Sequence, residues 1–297
     1  MPFPGDPDGH PGKDEVAAYL EAYAERFDLP VRLGCRVTSV RPETPVGAPV
    51  ETAVGAPAGF AVETTAGPLR AAQVVVAAGA FHTPRTPAFA AGLAPHVVQT
   101  HSTGYRSPDR LAGDDVLVVG AGNTGVQIAR ELAESGRRVS LAASAVGRAL
   151  PQRVLGRDLF WWFDRIGFMD VRGRGRLGRR LREQELIIGT DVSALMRRVR
   201  RFGRAVDADG ARHRPDAVVW ATGFVPRYPW LHVPVLDDGG APVHDEGTTA
   251  WPGLHFLGLP WQRDRGSSVL GWVGRDAAVL ARRLTATTNP VKTVVSP

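Results

Sequence analysis

Residues 115–144, DVLVVGAGNTGVQIARELAESGRRVSLAAS, hold an apolar strand, a glycine turn, a helix and a second strand in one uninterrupted run. Val116, Leu117, Val118 and Val119 have no polar interruption, the pattern of a strand covered on both faces of a parallel sheet. Gly120, Gly122 and Gly125 follow at G-x-G-x-x-G spacing. Each glycine has a physical task there: a tight turn, close approach of the backbone to a pyrophosphate, and close packing of helix on strand. Val126, Ile128, Ala129, Leu132 and Ala133 then form one helical stripe, Ser135-Gly136 ends it, and residues 139–143 supply the next strand. The unit commits the chain to an α/β architecture and predicts a dinucleotide site, with Asn123 and Thr124 on the turn beside the three glycines.

The kind of nucleotide is read from the end of the second strand, where sites for NAD(H) usually place Asp or Glu on the ribose hydroxyls. Here the strand ends in Ala143 and Ser144, and Arg148 follows within reach of a 2′-phosphate. The reading favours NADP(H) over NAD(H).

At 297 residues the chain accommodates one large or two medium domains. Its net charge of +6 comes from arginine, since Lys13 and Lys292 are the only lysines. Abundant Ala, Gly, Pro, Val and Arg together reflect a GC-rich coding sequence, so the charge does not argue for nucleic acid. The arginines cluster at residues 172–182 and 197–204 with a single aromatic side chain, Phe202, among them, which argues against a base-stacking platform and leaves a solvated basic face or capture of an anionic cofactor or partner. Cys35, the single cysteine, excludes an internal disulfide; flanked by Leu33, Val37 and Val40 on an expected strand, it reads as buried. The first residues lack the basic start and apolar stretch of a signal peptide, and no apolar run approaches the roughly 18 residues of a membrane span. The expectation is a soluble cytoplasmic protein with no membrane or nucleic-acid partner. Eight histidines never fall at i, i+4 on a helix or beside the cysteine, so no metal site is expected. Ser267 and Ser268 lack the G-x-S-x-G elbow of hydrolases.

Along the chain, Asp14 is placed to cap a helix reaching Phe27, with Val16, Tyr19, Leu20, Tyr23 and Ala24 on its apolar stripe. Strands are expected at residues 31–40 and 60–64. Two apolar strands run into glycine, VVVAAG at 74–79 and AVVWATG at 217–223, each after a polar hairpin. This echo suggests two related nucleotide-binding units. Residues 156–168 are apolar nearly all round and read as a buried or subunit-contact helix, which leaves a homo-oligomer open. A short helix is expected at 191–201, a last strand at 254–258, and a final helix opened by Gly266, Ser267 and Ser268.

Four segments, HPGKDEVAAYLEAYAERF, HSTGYRSP ahead of VLVVGAGNTG, DAVVWATGF and PGLHFLGLPWQRDRGSSVLGWVGRDA, together resemble the flavin-containing monooxygenase group and its bacterial NAD(P)/FAD-dependent oxidoreductase branch. The resemblance implies an α/β fold of two nested, Rossmann-like dinucleotide-binding domains. A partial FAD-type domain would cover 1–106, an inserted NAD(P)-binding domain 107–215, and the return to the FAD-type domain 216–297. It implies that His101, Ser102 and Tyr105 mark the crossing between domains and that Gly79 and Gly223 lie at the hinges. Gly258, Gly266, Ser267 and Ser268 would face the flavin ring, with a helix N-terminus stabilising charge on the reduced flavin.

The cofactors implied are FAD and NADP(H). The implied reaction is hydride transfer from NADPH to FAD, then oxygenation of a small soft nucleophile through a flavin hydroperoxide; a reductase passing electrons elsewhere uses the same parts. No side chain need act as a nucleophile, since the cofactor carries the chemistry. Two departures stand out. The chain has no first G-x-G-x-x-G with an acidic partner for the FAD pyrophosphate and ribose, so an N-terminally incomplete fold is expected. The run 201–216 is also short for a further strand. The alternative is a flavin-free NADP(H)-binding or partner-dependent protein without catalysis of its own.

Overall fold

The computed structural model describes residues 1–5, 9–43, 59–143, 148–182, 186–188 and 215–287. In chain order these form α1 (Lys13–Arg26), β1 (Val37–Pro42), β2 (Phe60–Thr64), β3 (Leu69–Ala71), β4 (Val74–Val76), β5 (Thr83–Pro84), β6 (Val98–His101), β7 (Asp115–Val119), α2 (Asn123–Glu134) and β8 (Arg138–Ala142). There follow β9 (Arg148–Leu150), β10 (Arg153–Val154), β11 (Arg157–Asp158), α3 (Leu159–Arg165), α4 (Arg176–Arg182), β12 (Leu186–Ile188), β13 (Ala217–Trp220), β14 (Phe224–Val225), β15 (Leu254–Phe256) and α5 (Val273–Thr287). The helix expected at 191–201, the arginines at 197–204, most of the run 201–216, and Ser144 lie outside the described residues.

The glycine motif sits in a four-stranded parallel sheet of order β6-β13-β7-β8, with Val218 paired to Gln99 on one side and Leu117 on the other. Side chains alternate across a strand, so β7 and β13 supply both faces. Val116, Val118, Ala217 and Val219 pack with Leu141 against Val126, Ala129 and Leu132 of α2, while Val218 and Trp220 pack against Ala90 on the opposite face. Leu132 and Val118 are fully buried. The sheet includes strands at 98–101 and 217–220, so its hydrogen bonding extends one strand beyond each of the expected limits, 107 and 215.

A second core gathers Val40, Phe60, Val62, Val76, Tyr228, Leu231, Leu254 and Phe256. It is built on the antiparallel sheet β1-β2-β3 and on β4 paired in parallel with β15. The polar hairpin before the first apolar strand is thus β2-β3; the segment preceding β13 lies outside the described residues.

Three local expectations change. The N-cap of α1 is Gly12, whose N–H donates to the Glu15 carboxylate at 2.6 Å, and Asp14 lies in the first turn. No residue of α1 is buried; Tyr19, Tyr23 and Phe27 instead form a ring ladder with Phe3. The strand expected from residue 31 begins at Val37, because its partner β2 ends at Thr64 and the Thr65 hydroxyl takes the Arg36 N–H. Cys35 therefore lies before the strand, half-buried, and Leu33 is exposed. In the apolar run 156–168, α3 buries only Leu159 and Phe163, against Met169 and the partly buried Val269 and Trp272, while Trp161 faces out. Asp158 caps α3 by accepting from Phe160 N at 2.7 Å.

Candidate functional site

The glycine turn is packed to backbone contact. Gly120 has φ +111°, and a Cβ there would collide with the Ala221 carbonyl oxygen of the neighbouring strand end. A Cβ on Gly125 would collide with the Gly120 carbonyl, so α2 rests directly on its own turn. Gly122 is the N-cap, and no side chain caps the helix. The first-turn amides of α2, exposed at Asn123 and Thr124, therefore present N–H groups and the positive end of the helix dipole to the space before them. That is the geometry of an anion site.

The Asn123 side chain has a different task from the one its place on the turn suggests. Its Nδ2 donates to Leu186 O at 3.1 Å and its Oδ1 accepts from Ile188 N at 3.0 Å, fastening β12 beside the turn. Only its main-chain amide remains for a ligand. Arg148 forms part of β9, paired in parallel with β12; its side chain lies outside the described residues, as does Ser144.

His101, Ser102 and Gly223 meet where the chain leaves the parallel sheet. His101 Nε2 lies 3.1 Å from Gly223 O, and its ring stands edge-on to Phe224 at 5.2 Å. Ser102 N donates to Trp220 O at 2.9 Å. The antiparallel pair of β5 and β14 carries the other chain through the same place, close to Gly79 and Gly223, which have φ of +73° and +79°. Tyr105 sits apart from this junction: its ring packs on the α2 side of the sheet and its hydroxyl donates to Glu131 at 3.1 Å. Burial, then that hydrogen bond, push its phenol well above the usual tyrosine range.

Gly258 ends the strand containing β15 with φ +81°. Gly266 is wedged against Trp272, whose Cβ would stand 2.7 Å from an added methyl. Ser267 is buried, and its Oγ accepts from Arg263 N at 3.0 Å and Asp264 N at 3.1 Å, whereas Ser268 is exposed. The helix expected to open at these residues begins at Val273, because the Ser267 hydroxyl is spent closing the preceding turns. Arg263 completes this knot, 3.1 Å from Asp276 and 3.2 Å from Asp264. Burial raises the Asp276 carboxyl above its ordinary value.

Beside Gly223 opens a cavity of about 640 Å³, walled by Phe81, Phe224, Tyr228 and Trp261 and bearing Arg182 and Gln262. Arg182 belongs to the arginine cluster that the sequence left as a solvated face or an anion-capturing one; the other five residues were not singled out as site residues. One local signal pointed to them: Trp261 lies between a proline and a polar run, QRDRG, in a loop rich in both. Among the described residues no group of His, Cys, Asp and Glu is arranged to hold a metal ion, and no helix is long and apolar enough to cross a membrane.

Comparison with known proteins gives the family. The family described as pyridine nucleotide-disulphide oxidoreductase matches residues 4–151. The chain is 39% identical to an uncharacterized CzcO-like oxidoreductase of Geobacillus kaustophilus, over 94% of this chain and 80% of that protein. It is 29% identical to indole-3-pyruvate monooxygenase YUCCA6 of Arabidopsis thaliana, over 91% of this chain and 73% of that one. A variant of the flavin monooxygenase from Stenotrophomonas maltophilia superposes with a TM-score of 0.70 at 25% identity, covering 96% of this chain and 80% of that one.

Proposed function

The chain belongs to the CzcO-like, flavin-monooxygenase-like family of oxidoreductases, and on that premise we propose that it uses NADPH to reduce FAD and oxygenates a small soft nucleophile. Its fold is the two-dinucleotide-binding-domain fold of the flavin monooxygenases.

The uncapped N-terminus of α2 on its glycine turn carries this reading. The turn fits a dinucleotide pyrophosphate because Gly120 and Gly125 let strand end, turn and helix pack backbone on backbone, and the N-cap Gly122 adds no side chain before the helix amides. β8 ends at Ala142, and the sequence that follows it, residues 143–147, carries no acid for a ribose hydroxyl, which favours NADP(H) over NAD(H). Gly79 and Gly258, beyond the carboxyl ends of the paired strands β4 and β15, would allow a flavin close approach to the backbone, since a Cβ on Gly79 would meet nothing within 4 Å. The flavin supplies the redox chemistry; the protein positions nicotinamide against it and keeps water away. His101 serves here as a positioning residue, holding the Gly223 crossing between the two sites.

The test is the absorption spectrum after purification with added FAD. Stoichiometric yellow flavin, bleached by NADPH and restored by oxygen, supports the reading; a colourless protein that still binds NADPH ends it in favour of a flavin-free NADP(H)-binding protein.

A further inference from the structure

Residues 77–97 and 221–227 carry the chain between the core of Val76 and Tyr228 and the core of Ala90 and Trp220. They pair as β5 and β14 through two residue pairs, Phe224 with Pro84 and Val225 with Thr83. So short an antiparallel ladder is marginal by itself, and Pro84 and the adjoining Pro226 have no N–H to lend it. The hinge glycines Gly79 and Gly223, with φ of +73° and +79°, add freedom to turn. Side chains are left to fix the crossing. We propose that His82 is a second positioning residue there, locking β5 and β14 from the end opposite His101 and so setting how nicotinamide meets flavin; this rests on the reading above.

His82 Nε2 lies 3.2 Å from the carbonyl oxygen of Ala78, the residue before Gly79. Its Nδ1 lies 3.2 Å from Arg227 N and 2.9 Å from Arg227 O. With the proton on Nε2 the ring donates to Ala78 O and accepts from Arg227 N. With the proton on Nδ1 it would gain Arg227 O, but it would lose Arg227 N and turn a lone pair on Ala78 O, so the Nε2–H tautomer makes more of its bonds. The ring also stands edge-on to Tyr228, with centroids 4.8 Å apart and planes at 84°. Tyr228 is buried in the second core. One imidazole thus ties Ala78 on one crossing chain to Arg227 and Tyr228 on the other.

His101 repeats the arrangement at the other end of the ladder. Its Nε2 donates to Gly223 O at 3.1 Å, its Nδ1 faces Thr103 N at 3.3 Å, and its ring stands edge-on to Phe224 with planes at 78°. Each histidine therefore donates to a carbonyl at a hinge glycine, accepts from a backbone N–H and lays its ring against an aromatic side chain. Gly223 O also accepts from Arg85 N at 2.9 Å, so the two clamps act on one short ladder. Transfer between two bound rings needs their reacting atoms close and aligned. A crossing free to swing would slow that transfer without loosening the hold on either nucleotide.

His82→Phe keeps a ring edge for Tyr228 and removes both hydrogen bonds, whereas His82→Gln restores a donor and an acceptor. Amide exchange on the full chain reads the clamp without any cofactor. In His82→Phe the Arg85 amide, which bonds to Gly223 O and not to His82, should exchange at least about tenfold faster, while the Val219 amide in the parallel sheet keeps its rate. Anaerobic stopped-flow reduction of the FAD-loaded chain reads the positioning. In His82→Phe the limiting rate at saturating NADPH should fall at least about tenfold, with NADPH affinity changed by less than about twofold. His82→Gln should recover most of both losses. Unchanged Arg85 exchange, or a Gln variant no better than the Phe variant, overturns the clamp. Faster exchange with an unchanged limiting rate overturns the positioning role and leaves the cofactor reading standing. A chain that takes up no flavin ends the cofactor reading and the positioning role with it, and the exchange result then decides the clamp alone.

Discussion

His101 and Gly223 lie 122 positions apart, and His101 Nε2 stands 3.1 Å from the Gly223 carbonyl oxygen. Thr103 N is directed at His101 Nδ1 at 3.3 Å, so the ring carries its proton on Nε2 and donates it to that carbonyl. One hydrogen bond thereby joins the strand that enters the parallel sheet to the strand that leaves it. The geometry gives His101 a structural task at the crossing where we propose that nicotinamide and flavin meet.

His101→Ala should lower the stability of the folded chain by about 1–2 kcal/mol, the worth of a partly buried hydrogen bond with its ring contact. His101→Gln, which can restore a donor, should recover much of the loss. Urea unfolding of both variants reads this directly; equal losses would show that the Gly223 bond contributes nothing.

Gly125→Ala should be severe, because its methyl would overlap the Gly120 carbonyl and the contact is backbone on backbone. The expected cost is about 1–3 kcal/mol in stability, with NADPH affinity reduced at least tenfold as α2 is pushed off its turn. Fluorescence titration with NADPH checks the affinity. Gly136→Ala is the control: a Cβ there would meet nothing within 4 Å, although its φ of +90° still carries strain.

Stability should fall as the medium is acidified below about pH 6.5. Burial, and then the nearby Arg283, hold His255 below its ordinary value of 6.5. The folded chain thus binds fewer protons than the unfolded one between the lowered value and 6.5. The contribution is present above 6.5 and is lost as pH falls through the window beneath it. Asp276 acts with the opposite sign at lower pH: its carboxyl is raised from 3.8, so its contribution is complete below 3.8 and is lost as pH rises through the raised value. His255→Gln should flatten the acid slope of the urea midpoint, and an unaltered slope would assign it to other groups.

Leu132→Ala and Leu254→Ala remove fully buried side chains from two separate cores, and each should cost about 2–5 kcal/mol. Because Leu132 lies on the helix whose N-terminus is the proposed pyrophosphate site, its variant should also weaken NADPH binding. Leu254→Ala should leave that affinity unchanged once the folded fraction is corrected for.

What could be read before any fold was in hand was the local unit. Strand, turn and helix at 115–142 lie where periodicity and glycine spacing put them, and β15 and the strand at 60–64 follow in the same way. Short-range sterics and hydrophobic period decide such elements, and both are properties of neighbouring residues. The four quoted segments likewise led to the right family, since their order and spacing cover most of the chain. Tertiary structure decided the rest. The start of the strand at Val37, rather than near residue 31, depends on where β2 ends, and the start of the last helix at Val273 depends on what the Ser267 hydroxyl captures. Asn123 looked like a ligand residue until the fold placed β12 within its reach. Beyond the local signal at Trp261 the cavity could not be read from the sequence, because Phe81, Arg182, Tyr228 and Trp261 come from four separated stretches and line one cavity only after folding. Which side chains come to share a cavity is a relation between distant atoms, and only the folded chain sets those distances.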